Sequence, residues 1–337
     1  MNPISKHSVL KKRSQFLKQV RAFFYVRDLI EVDTPMLSQG AVPDVHLRSL
    51  QTKVLVPGKS DLQTYYLHTS PEYPMKRLLC EGCGDIFYLG KVFRDGDLSP
   101  RHQVEFAMLE WYRLGFTMFD LMEEVVDLIQ KVLHPQGHFE QGGASKLNVE
   151  QLSYQQAFNK YAGIEDIFGA SAEVCRDCLV QNNIPEIVGV DADDKVLWEQ
   201  LVLTEVIEPQ LGVVDGQPAI SLIYHFPASQ ASLAQIPADN PLVAERFEVF
   251  VNGMELANGY HELADSELYR QRFEASLAER EDFGFDSVPL DENLLKTLAD
   301  KPLPDCSGVA LGVDRLFALQ QGFSTIDEGI GFGLLES

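Results

Sequence analysis

Three carboxylates surround an Asn252-Gly253 dipeptide in the stretch Phe247–Glu262, FEVFVNGMELANGYHE. That dipeptide is the strongest short-range hairpin signal, because both residues tolerate the positive φ of a type I′ turn. With such a turn, Val251 opposes Met254, Phe250 opposes Glu255 and Glu248 opposes Ala257. Side-chain alternation then places Glu248 and Glu255 on one face as diagonal neighbours, about 7–8 Å apart. Val249, Val251, Met254 and Leu256 line the other face. Two buried carboxylates repel each other and lose hydration unless a cation joins them. A hard divalent cation carrying phosphates suits that geometry. The alternative is a pair of solvated acids on an exposed sheet face.

Two arginines sit where phosphate would be met. Arg94 follows the strand Phe87–Phe93, and Arg315 lies in the first turn of a helix entered directly from the small-residue strand Gly308–Gly312. Free N–H groups at a helix start, reinforced by a guanidinium, form an anion site. Three further acids are aimed at a pocket. Glu72 follows Ser70-Pro71 at the start of a helix, where Ser70 is the expected N-cap and Pro71 the first helical residue. Glu110 lies between Met108 and Tyr112 on one face of the strand Glu105–Leu114, and Glu262 ends the hairpin stretch. A carboxylate on a half-apolar face requires a cationic partner. Phosphate-binding arginines, a metal-suited acid pair and surplus acids together imply a nucleotide and a substrate bearing more than one amine.

The elements that must position these residues can be read in order. Residues 8–28 form an amphipathic helix with Leu10, Leu17, Val20 and Phe24 on one stripe. A β-branched run, Leu29–Leu37, is interrupted by Pro35. Hairpins with a Pro57-Gly58 turn span 45–67. A second amphipathic helix covers 119–133, and a Gly- and Gln-rich connection runs from 134 to 146. An insert at about 147–215 is mostly helical, AISLIYHF is a buried strand, and Asp265–Glu281 is a charged helix. Hairpin-linked strands predict an antiparallel sheet flanked by helices, of the α+β class, in a single catalytic domain.

Composition narrows the partners. A chain of 337 residues with 45% hydrophobic and 23% charged residues has ample core. Its net charge of −22 is a poor footprint for nucleic acid. The sequence has no secretory leader signature and no membrane span, which predicts a cytoplasmic protein with no membrane partner. The cysteine pairs Cys80/Cys83 and Cys175/Cys178 are too far apart for a short-range zinc ribbon, and reduced thiols are the simpler expectation.

Three segments carry a family resemblance. Arg27-Asp-Leu-Ile-Glu-Val-Asp-Thr-Pro-Met-Leu37 resembles the first motif of class II aminoacyl-tRNA synthetases, Phe93-Arg94 through Glu105-Phe106 the second, and Gly308-Val-Ala-Leu-Gly-Val-Asp-Arg315 the third. MELANGYHE and MLEWY are similar to the lysyl branch. The whole chain resembles the truncated lysyl-synthetase paralogues that attach (R)-β-lysine to bacterial elongation factor P. Ser70 and Ala310 stand where the tRNA enzymes carry alanine and glycine. The first motif begins within about thirty residues of Met1, so an N-terminal anticodon-binding OB domain is not expected, nor is tRNA as a substrate.

The resemblance implies a homodimer through the first motif, with ATP and Mg²⁺ as reactants. Arg94 would hold the α-phosphate and reacting carboxylate, and Arg315 the γ-phosphate. Glu248 and Glu255 would hold magnesium. Phe106 would stack on adenine, with Asp95, Gly96, His102, Gln103, Leu256 and Gly312 lining the nucleotide site. Glu72 would take the α- or β-amine of lysine or (R)-β-lysine, with Ser70, Pro71 and Ala310 beside it. Glu110, Tyr112 and Glu262 would take the ε-amine, with Asn258 near the carboxylate. The family's second motif usually reads Arg-Asn-Glu, whereas this chain has Arg94-Asp95-Gly96, with Asp97 next. Competing expectations are a non-catalytic synthetase-like regulatory subunit and a lysyl-type enzyme with another acceptor.

Overall fold

Helix α1, Lys6–Tyr25, buries Val9, Phe16, Val20, Phe23 and Phe24. Phe24 stacks on Phe87 at 4.8 Å and meets the Trp111 ring edge-on at 5.1 Å. Phe16 lies 5.1 Å from Phe317. The interior stripe is therefore displaced from the expected one: Leu10 is exposed, because the larger rings take the buried positions. The computed structural model describes residues 5–133 and 146–336, so nearly all of the connection expected at 134–146 lies outside the described residues.

The run expected over Leu29–Leu37 is broken into β1, Ile30–Glu31, and β2, Leu37–Ser38. Pro35 between them has no N–H to give to a ladder. β3, Gln51–Val54, and β4, Gln63–Leu67, form a hairpin, and β2 adds to β4. Next come α2, Glu72–Cys80, β5, Ile86–Phe93, β6, Glu105–Leu114, and α3, Met118–Leu133. The stretch expected to be a helical insert opens on β7, Asn148–Ser153, and holds α4, Tyr154–Ala157, α5, Ala172–Gln181, and α6, Lys195–Val202, before β8, Val213–Val214. Then follow β9, Gln217–Tyr224, β10, Arg246–Val251, and β11, Met254–His261. The chain continues through α7, Ser266–Asp282, α8, Glu292–Asp300, β12, Cys306–Gly312, and α9, Val313–Gln321.

These elements build two compact units. Unit 1 takes Met1–Thr117, Lys131–Gln141 and Glu262–Ser337, and unit 2 takes Met118–Gln130 and Gly142–His261. In unit 1, β6 is flanked by β5 and β12, both antiparallel to it, and β1 runs parallel to β5. In unit 2 the order is β11-β10-β9-β7, with β8 also on β9. Among the described residues of that unit, β7 and β9 pair in parallel, whereas β10 pairs with β9 and β11, and β8 with β9, antiparallel. Mainly antiparallel sheets flanked by helices make this an α+β protein, as the hairpin-linked strands predict. Among the described residues no helix is long and apolar enough to cross a membrane.

The β10–β11 hairpin turns at Asn252 and Gly253, both with positive φ (54° and 67°) as a type I′ turn requires. Val251 faces Met254 and Phe250 faces Glu255, as expected. The register then shifts between Val249 and Phe250, so that Glu248 faces Asn258 rather than Ala257. One extra residue on β11 makes a β-bulge, which leaves both acids on one face and puts Asn258 there in place of Ala257.

Candidate active site

In unit 1 the pairing of β12 with β6 sets the acid cluster. Ala310 lies opposite Glu110, and Gly308 opposite Tyr112. Small residues on β12 leave the side chains of β6 room. A Cβ on Gly308 would come within 2.4 Å of the Tyr112 ring and 2.5 Å of Glu262 Oε1. Glu110 accepts hydrogen bonds from Ser70 Oγ at 2.6 Å and from the Tyr112 hydroxyl at 2.8 Å. Burial, and then the neighbouring Glu72 charge, push its carboxyl up to about 8.

Ser70 also accepts from the Glu72 N–H at 3.0 Å, but it stands outside the helix. Pro71 is the N-cap of α2 and Glu72 its first residue, one position later than expected. The loop turning into α2 therefore brings Ser70, Glu72 and Glu110 together.

Sequence reasoning missed Lys76. Its side chain is fully buried, with Nζ 2.6 Å from Glu72 Oε1 and 2.7 Å from Glu262 Oε2. Burial alone would depress the ammonium, but Glu262 and Glu72 outweigh it and hold Lys76 charged. The signal was present as a Glu–Lys pair at i, i+4, which ordinarily marks a solvated helix face. Two of the three acids expected to meet substrate amines thus already share one internal ammonium.

The nucleotide residues of unit 1 gather around the loop joining β5 to β6. The Arg94 guanidinium lies 5.2 Å from the centre of the Phe106 ring. Asp95 pairs with Arg48 at 3.2 Å. Gly96 adopts φ 85°, a conformation that disfavours the glutamate of the usual motif, and Asp97 follows it. His102 accepts from Arg315 Nη2 at 2.6 Å, which makes Nδ1 the protonated nitrogen facing Ser99 Oγ at 2.8 Å. Arg315 Nε also donates to the Arg101 carbonyl.

Gln103 is engaged elsewhere. Its amide donates to Asp327 at 2.6 Å and accepts from the Leu334 N–H at 3.2 Å, so it anchors the C-terminal segment rather than presenting its side chain to a nucleotide. Gly312 is the N-cap of α9 and gives no side-chain cap, which leaves first-turn N–H groups for an anion. Asp314 fixes that turn. One of its oxygens takes Arg13 at 2.5 Å and the other takes the Ala107 N–H at 2.7 Å.

In unit 2 the hairpin carries Glu248, Glu255 and Asn258 on one face, and Leu256 is buried at the bulge. Arg246 Nη2 lies 2.5 Å from Glu248 Oε1, a partner the sequence reading did not supply. Burial pushes Glu248 up to about 7; Arg246 opposes this, while Glu255 and Glu208 add to it. The buried Asn258 Oδ1 has no hydrogen-bond partner among the described residues. Among those residues no group of three or more His, Cys, Asp or Glu forms a metal cage. Two carboxylates completed by phosphate oxygens are the usual way magnesium is held. The five cysteines are free thiols, and burial raises Cys80, Cys178 and, to about 11, Cys175.

A family model described as tRNA synthetases class II (D, K and N) matches residues 3–335. Curated proteins described as elongation factor P–(R)-β-lysine ligase are similar along nearly the whole chain. Those of Salmonella paratyphi B (strain ATCC BAA-1250 / SPB7) and Salmonella gallinarum (strain 287/91 / NCTC 13346) are each 44% identical over 323 residues, covering 96% of this chain and 94% of theirs.

Proposed function

Because the chain belongs to the class II tRNA synthetases (D, K and N), we propose that it activates (R)-β-lysine with ATP and transfers the acyl group to a lysine side chain of elongation factor P. The observation that carries this reading is the acid cluster of unit 1. Glu72 and Glu262 share a single internal ammonium, and Glu110 is held beside them through Ser70, an arrangement suited to a substrate with two amines.

In this reading the substrate carboxylate attacks the α-phosphorus of ATP, pyrophosphate leaves, and an acyl-adenylate forms. The ε-amine of the acceptor lysine then attacks the acyl carbon and releases AMP. Arg94 neutralises the α-phosphate and orients the carboxylate, Arg315 draws on the γ-phosphate, and Phe106 stacks on adenine. Glu248 and Glu255 are the proposed magnesium ligands; the ion would neutralise phosphate charge. Glu72 takes the β-amine, with Ser70, Pro71 and Ala310 shaping its surroundings. Glu110, Tyr112 and Glu262 take the ε-amine, and Asn258 is assigned to the carboxylate. Catalysis is then orientation and charge neutralisation, without a proton-shuttling triad.

Exposed apolar side chains in the first-motif region, Tyr25, Val26, Ile30, Met36 and Leu37, support a homodimer through that segment. A cytoplasmic protein that does not use tRNA completes the proposal. ATP–pyrophosphate exchange tests it. Exchange should be faster with (R)-β-lysine than with α-lysine and negligible with aspartate, and the absence of exchange with either lysine isomer would overturn it.

A further inference from the structure

Lys76 stands apart from every group assigned to the reaction. Its side chain is fully buried, and one nitrogen bridges Glu72 of its own helix to Glu262, which enters from a different part of unit 1. The Glu262 backbone N–H is tied to the Cys306 carbonyl at 3.0 Å, and its Oε1 lies 2.5 Å from where a Cβ on Gly308 would sit. One oxygen of each acid is thus held from beneath by Lys76. Lys76 also lies 5.3 Å from the centre of the Tyr269 ring, which closes the far side.

Charge counting gives the bridge a consequence. Glu72 and Glu262 share the Lys76 ammonium, which leaves one of their two charges for a substrate ammonium, and Glu110, which holds its proton while the site is empty, can ionise to meet the second. Without Lys76 both bridged acids would lose the buried ammonium they share, which is costly. Without the bridge, Glu72 would be free to follow an amine at either neighbouring carbon.

We infer that Lys76 is a positioning residue that fixes Glu72 and Glu262 in register with the two amines of the substrate, and so sets selectivity for a diamino acid and for the position of its first amine. The inference rests on the reading that lysine-type substrates are activated.

The test compares the full-length wild-type chain with Lys76→Met and Lys76→Arg in ATP–pyrophosphate exchange. The substrates are (R)-β-lysine, α-lysine and the monoamine 6-aminohexanoate, and thermal unfolding is followed in parallel. In Lys76→Met, the KM for (R)-β-lysine should rise about tenfold or more, the scale of one lost charge-assisted hydrogen bond. The preference for β- over α-lysine should shrink comparably, and the KM for ATP should stay within about twofold. Lys76→Arg keeps the charge but not the bridge geometry, so it should retain the preference for diamine over monoamine while losing the isomer preference. If Lys76→Met does not fold, the Arg variant still decides the positioning claim through that isomer preference. A KM and isomer preference like wild type in a folded variant would overturn the inference. So would a loss in which all three substrates and ATP move together with stability. Failure of the wild-type chain to exchange with either lysine would instead remove the underlying reading.

Discussion

Replacing Glu262 with glutamine keeps the volume of the side chain and removes its charge. Glu262 is almost wholly buried and shares Lys76 with Glu72, so the substitution takes one of two partners from a buried ammonium. Removing one partner of an isolated buried pair costs about 3–5 kcal/mol. Here Glu72 remains and the new amide oxygen can still accept from Lys76, so ~2 kcal/mol is the better figure. At about 2.1 cal/mol/K of unfolding entropy per residue, a chain of 337 residues turns that loss into a fall of about 3 °C in Tm. Stability of the ordinary ~5–15 kcal/mol survives it. The effect on substrate is larger in relative terms. Loss of a charge-assisted hydrogen bond to an ammonium costs about 1.5–3 kcal/mol, or roughly 10- to 150-fold in KM for (R)-β-lysine. Pyrophosphate exchange at saturating ATP measures it, and the KM for ATP should stay within about twofold. A folded Glu262→Gln enzyme with an unchanged amino-acid KM would refute the assignment of Glu262 to the amine.

Gly308→Ala should be at least as damaging to amino-acid binding, because the new methyl meets the Tyr112 ring and Glu262 Oε1 well inside contact distance. Overpacking of this kind costs about 1–3 kcal/mol, and a variant with normal Tm and KM would contradict the packing described. Glu110, held near pKa 8 against an ordinary 4.5, keeps a proton in the folded chain that the unfolded chain releases. Its contribution to stability is therefore full below about pH 4.5 and lost as pH rises through about 8. Unfolding midpoints between about pH 5 and 9 should fall less steeply in Glu110→Gln than in wild type, and parallel curves would contradict the shift. Glu248→Gln should raise the magnesium concentration for half-maximal exchange about tenfold, read from a magnesium titration at fixed ATP, and an unchanged midpoint would remove Glu248 from the metal.

Much of the scaffold was legible because its signals are local. The Asn252-Gly253 turn needs positive φ at two residues, and the chain provides it there. The strand Glu105–Leu114 has the expected bounds, and its alternation places Glu110 with Tyr112. What escaped depends on contacts between distant residues or on irregularity. The bulge in β11 is invisible to strict alternation, yet it brings Asn258 onto the face of Glu248. Lys76 reads as a surface lysine until Glu262, far along the chain, is folded against it. Arg246 falls just before the stretch read as the hairpin, although it is the counter-charge of Glu248. Gln103 fits a nucleotide motif by position, but Asp327 and Leu334 claim both ends of its amide.

The central claim is that this chain joins a lysine-type acyl group to a protein. Mass spectrometry of elongation factor P after incubation with the enzyme, ATP, magnesium and (R)-β-lysine tests it most directly. The factor should gain one β-lysyl group on a single lysine, dependent on ATP, with less modification when α-lysine is supplied. An unmodified factor, in a reaction where the enzyme still exchanges pyrophosphate with (R)-β-lysine, would contradict that claim.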